Sequence, residues 1–169
     1  IILASGQITT ASAQSNAVQK AFENVKGSIG DLITAKDQGS TSELVLKIEA
    51  LKKVINLSIE EAKDLKLKVL AIDKNELLTD WQKNMTENLD NAIAYYNDQI
   101  QIIENDGDKL DSDDVKSLAS ALKSWRDNNS AFQINQIREF LMIDQEQKSI
   151  QTAKKRAQKI GEDVRKMDK

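Results

Sequence analysis

Between Ser42 and Asp73 an apolar side chain recurs every three or four residues: Leu44, Ile48, Leu51, Ile55, Ile59, Ala62, Leu65, Val69 and Ile72. An α-helix turns once in about 3.6 residues, so these side chains fall on one stripe. Lys47, Lys52, Lys53, Glu60, Lys63 and Lys66 fall on the other face, where the spacing predicts contact with water. A helix of about 30 residues is about 45 Å long. Burying a stripe of that length takes partners of similar length, so the chain is restricted to long helices packed side by side.

The remaining segments supply such partners. Residues 15–37 carry Ala17, Val18, Ala21, Phe22, Val25, Ile29, Leu32 and Ile33 at helical spacing, with Ser15 as a cap. Gly27 and Gly30 weaken this helix by roughly 1 kcal/mol each relative to Ala, and a bend is expected between them. Gln38 to Thr41 reads as a loop, and Ser40 with Glu43 matches a capping box for the next helix. A new cap is expected at Asp73, three residues before Glu76. Leu77, Leu78, Trp81, Met85, Leu89, Ile93, Tyr96, Ile100 and Ile103 then form a second long stripe over residues 75–105. Residues 112–127 predict a shorter helix with Val115, Leu118, Ala119, Leu122 and Trp125 inward. Asn128-Asn129-Ser130 competes with helical backbone bonds, which predicts a kink or break. Residues 131–167 follow as the last helix, with Ile150, Ala153, Ala157, Ile160, Val164 and Met167 continuing the steps of three and four. Short connections between long helices turn neighbours antiparallel. The expected fold is all-α, an antiparallel bundle of about four amphipathic helices, formed by one domain over residues 15–169.

Composition narrows the chemistry. Within these 169 residues there is no histidine, cysteine or proline. Thiol and Ser-His-Asp catalysis, thiolate metal sites and Glu-x-x-His di-iron sites therefore lack their residues. No glycine-rich phosphate loop is present. A formal net charge of -3 gives no general attraction to nucleic acid, and no apolar run has the length of a membrane span. No catalytic residue, metal ligand or cofactor is assigned, and a non-enzymatic chain is expected. Asp106–Asp114 is acidic, but Gly107 stands out of register for a calcium-binding loop, and a turn followed by a capped helix accounts for it. Glu60 and Glu61 read as solvated acids.

Three groups of residues are candidates for function. Phe140, Leu141, Met142 and Ile143 are consecutive and apolar, so on a helix they point all around its axis. A contact surface there competes with packing at a crowded centre. Residues 1–14 carry no charge, and Ala11-Ser12-Ala13 has the small-residue spacing of a signal-peptidase site. Two readings stand level, the tail of a signal sequence and an extended segment that packs on the bundle or on a neighbour. An ordered segment of this kind would also serve as an assembly tail in which Ile1, Ile2, Leu3 and Ile8 dock into another subunit. Trp81, Tyr95, Tyr96 and Trp125 are candidate lining for a small apolar ligand held between helices, although aromatics at helical spacing more often pack a core.

The stretches ELVLKIEALKKVINLSIEEAKDLKLKVLAID, WQKNMTENLDNAIAYYND and INQIREFLMIDQEQKSIQTAKKRAQKI, within roughly residues 42–165, resemble uncharacterised, all-helical, exported proteins of small-genome bacteria. The resemblance is one of pattern and brings no functional residues with it. It implies an extracytoplasmic bacterial protein, periplasmic, cell-surface or secreted. The expected role is structural or in protein–protein contact at the cell envelope, through a protein partner or self-association. A ligand-sensing or carrier bundle and an amphipathic protein on a lipid surface are the alternatives.

Overall fold

The computed structural model describes residues 15–37, 43–72 and 76–167. Among these residues there are five α-helices and no strand: α1 (Asn16–Asp37), α2 (Glu43–Leu70), α3 (Glu76–Asp106), α4 (Ser112–Asn129) and α5 (Ala131–Met167). A single 3-10 turn, Gly107–Lys109, links α3 to α4. The all-α expectation is met, because every long stripe found its 3.6-residue period. Residues 1–14, the loop at 38–41 with its Ser40 cap, and the turn at 73–75 lie outside the described residues.

The chain divides into two compact units, one from Ile1–Asp64 with Ala92–Ser120, the other from Leu65–Asn91 with Ala121–Lys169. The divisions fall inside α2, α3 and α4, so each unit holds segments of four helices.

In the first unit α1 starts at the predicted cap, where Ser15 Oγ accepts the Val18 N–H at 3.3 Å. The helix runs without interruption through Gly27 and Gly30. Its buried line is Val18, Val25, Ser28 and Ala35, whereas Phe22, Ile29 and Ile33, grouped with it by sequence, are exposed. Ile55, Ile59 and Ala62 of α2 are buried as their stripe predicts. The lysines of α2 depart from the simple two-faced reading. Lys53 Nζ donates to the buried Ser28 Oγ of α1 at 2.6 Å. Lys52 lies 3.7 Å from Glu104 of α3, and Lys47 reaches Ser112 of α4 at 3.4 Å. A lysine stem lies along apolar surface while its ammonium reaches a polar edge. Three lysines of one helix thus touch three different neighbours.

In the second unit Leu65 and Val69 of α2 and Ile72 just after it are buried, as are Gln82 and Leu89 of α3, Leu122 of α4 and Ile137 of α5. Lys66 reaches Asp90 Oδ2 at 2.7 Å, while Val69 and Ile72 receive hydrogen bonds from Gln82. Rising numbers on α2 therefore meet falling numbers on α3. Ala119, at the end of the first unit's share of α4 and expected inward, is exposed.

Helices α4 and α5 are separated by the single turn residue Ser130. The Asn129 side-chain amide donates to the Trp125 carbonyl at 2.9 Å, and Ser130 Oγ to the Arg126 carbonyl at 3.3 Å. These are the competing side-chain bonds expected of Asn and Ser. The backbone pattern nevertheless continues across them, with Ser130 N bonded to the Arg126 carbonyl at 3.0 Å and Ile134 N to the Ser130 carbonyl at 2.9 Å.

Candidate interaction surface

The apolar cluster on α5 is divided by its surroundings. Phe140 packs its ring on Trp81 of α3, with ring centroids 4.4 Å apart and planes tilted by 33°. Both rings are half-buried, and so is Leu141. Met142 and Ile143 are exposed. Successive helical residues are about 100° apart, so one neighbouring helix covers only part of four in a row. A cavity of about 260 Å³ opens beside this point, with Ile72, Leu78, Phe140 and Ile143 among its apolar walls and Asp144 and Lys148 at its edge. Lys148 and Asp144 form an ion pair of 2.9 Å there.

Beyond the cluster every described side chain of α5 from residue 145 to 166 is exposed. The sequence predicted a stripe needing burial; the structure leaves it bare. Ile150 is 55 % exposed, Ile160 63 % and Val164 45 %. Ala153 and Ala157 lie between them, exposed on the same helix. The periodic signal was legible in the sequence. The missing cover was not, because cover is supplied by other elements.

The four candidate ligand-lining aromatics are shared between the two units. Trp81 and Trp125 belong to the second unit, and Tyr95 and Tyr96 to the first. Tyr96 is buried and meets Tyr95 edge-on at 5.8 Å. Burial, with the adjacent Tyr96 phenol as a lesser cause, pushes the Tyr95 hydroxyl above its ordinary pKa. Trp125 is half-buried, with its carbonyl occupied by Asn129. The assembly-tail residues Ile1, Ile2, Leu3 and Ile8 lie outside the described residues.

The acidic stretch before α4 is arranged for capping. Asp111 Oδ1 accepts the N–H groups of Asp113 at 2.8 Å and Asp114 at 2.9 Å, and Asp114 Oδ2 accepts the Asp111 N–H at 3.0 Å. Asp111 thus satisfies two amides of the first turn, and Asp114 reaches back to the amide of the capping residue. The Asp114 and Asp113 backbone bonds hold the Asp111 carboxyl below its ordinary pKa. Glu60 is engaged by Lys63 at 2.8 Å. Among the described residues no three acidic, histidine or cysteine side chains are grouped to hold a metal ion. None of the described helices is long and apolar enough to cross a membrane.

No family model, curated protein or solved structure matches this chain.

Proposed function

We propose that this chain is a non-enzymatic, exported helical protein that works by contact with another protein at the cell envelope, and that the distal half of α5 is its contact element. The observation that carries the reading is the uncovered stripe Ile150, Ala153, Ala157, Ile160 and Val164. A row of apolar side chains held in water costs roughly 25 cal/mol for each Å² that a partner would cover. The fold we infer is an antiparallel bundle of about four helices, a reading supported by the paired contacts of α2 and α3 in the second unit. Such a bundle is a stiff support for a projecting contact helix. Export rests on the Ala11-Ser12-Ala13 pattern and the bacterial resemblance.

A photo-crosslinking residue placed at Ile150 or Ile160 in cells making the protein should yield a covalent protein adduct. The same residue at Lys155, a polar position between the stripe residues, should not. Equal yields at all three positions, or none, would remove the contact reading. The mass of the mature chain from the same cells tests export, since signal cleavage after Ala13 removes the uncharged segment. The narrow stripe favours this reading over lipid binding, and liposome flotation of the intact protein separates the two.

A further inference from the structure

We propose that the bare stripe of α5 pairs with the same stripe on a second copy of this chain, with the two helices antiparallel. The proposal rests on the reading of α5 as a contact element and specifies what it contacts.

The width of the stripe identifies a helix as its partner. Ile143, Ile150, Ala157 and Val164 stand seven apart, and Ala153 and Ile160 stand three after two of them. These are the a and d positions of a heptad repeat. The flanking residues are Lys154 and Gly161 beside the a line, and Ser149, Arg156 and Asp163 beside the d line. None of the flanks is bulky and apolar. An a/d stripe with such flanks is a coiled-coil seam, narrower than the face a helix presents to a globular core. Lipid-surface helices carry Trp, Phe or Leu across a broad face. From residue 150 to 164 there is none of these.

Size and charge then select the partner and its direction. Let two copies run antiparallel with Ala157 of each level with Ile160 of the other. Ala153 then lies level with Val164, so every one of these layers sets a small side chain against a β-branched one. Twofold symmetry brings Arg156 opposite Asp163 of the second copy, and does so twice. Lys154 lies opposite Gly161. Sliding the pair by one heptad sets Arg156 against Arg156 and Lys154 against Lys154 in one direction, or Asp163 against Asp163 in the other. A parallel pair offers Arg156 only Gly161, and Lys154 only Ser149. Opposite charges therefore meet in one arrangement. In that register residue 151 of one copy lies level with residue 166 of the other, so the layers named here fall along the exposed part of α5.

Sedimentation of the full chain over a wide concentration range tests this, with a reversible dimer expected. R156D alone and D163R alone should each weaken the dimer by on the order of tenfold, because each turns two attractions into two repulsions. The double variant R156D/D163R should recover the original affinity. Both positions are exposed, so neither change threatens the fold. A double variant as weak as the singles overturns the antiparallel register, and a full chain that stays monomeric at every concentration overturns the second copy. Maleimide labelling of A153C then distinguishes the outcomes, since the chain has no cysteine of its own. Fast labelling of a monomer leaves the stripe open to a different protein and the contact reading standing. Slow labelling of a monomer means that another part of the chain covers the stripe, and both readings fall.

Discussion

Gln82 of α3 closes the end of α2 by donating from Nε2 to the Ile72 carbonyl at 3.0 Å and to the Val69 carbonyl at 3.1 Å. The last carbonyls of a helix lack partners within it, and here a buried amide from the next helix supplies a donor. Gln82→Leu keeps the size but removes the donor, and should destabilise the protein by about 1–3 kcal/mol. Urea denaturation measures it, and an unchanged midpoint would show that other donors serve these carbonyls.

Gln82→Glu carries a pH signature. A buried carboxylate facing two carbonyl oxygens favours its protonated form, so its folded pKa lies above the unfolded one. The folded state then binds more protons than the unfolded state, and stability falls as pH rises between the two pKa values. The deficit relative to the natural protein should be largest at neutral pH and shrink on acidification. A deficit independent of pH would mean that the side chain has turned out to solvent.

The Asp111 cap should show the opposite slope. Its folded pKa is depressed, chiefly by the Asp114 N–H and then by the Asp113 N–H. Its contribution is present above the unfolded aspartate pKa and lost as pH falls through the folded value. Asp111→Ala should speed amide exchange at Asp113 and Asp114 near neutral pH. The stability gap to the natural protein should close in acid.

Two isoleucines of α5 should respond differently to truncation. Ile137 is 0 % exposed, and Ile137→Ala should cost about 2–5 kcal/mol through lost burial and the cavity left behind. Ile160 is 63 % exposed, and Ile160→Ala should change the stability of dilute protein by no more than about 0.5 kcal/mol. Thermal unfolding compares the two, and equal losses would mean that Ile160 is covered in solution.

The stacked pair Trp81 and Phe140 should be coupled. A double-mutant cycle with Trp81→Leu and Phe140→Leu should give an interaction of about 0.5–1.5 kcal/mol. Trp81 emission should also shift in Phe140→Leu. A coupling near zero would mark the contact as incidental.

Much of the helical framework is legible in the sequence alone. The ends of α1 and α4, set by the Ser15 and Asp111 caps, depend on residues within one turn of each other. The stripe from Ile55 to Ile72 was readable because a 3.6-residue period is a local property. The candidate site was read only in part. Phe140 to Ile143 stood out as a run, but its division into a half-buried Phe140 and an exposed Met142 depended on where Trp81 arrived from α3. Gln82 gave no signal in the sequence, since a glutamine among apolar residues looks the same whether it caps a helix or faces water.

Ile137 and Ile160 mark the division most plainly. Both are isoleucines on one helix, and the sequence determined that both belong to an apolar series with helical spacing. Which of them is dry was decided by whether other helices reach that level of α5, a contact between residues far apart in the chain. Periodicity determines where a helix directs its apolar face. Only the tertiary structure decides whether anything stands opposite, because burial requires a second surface and a helix cannot cover itself.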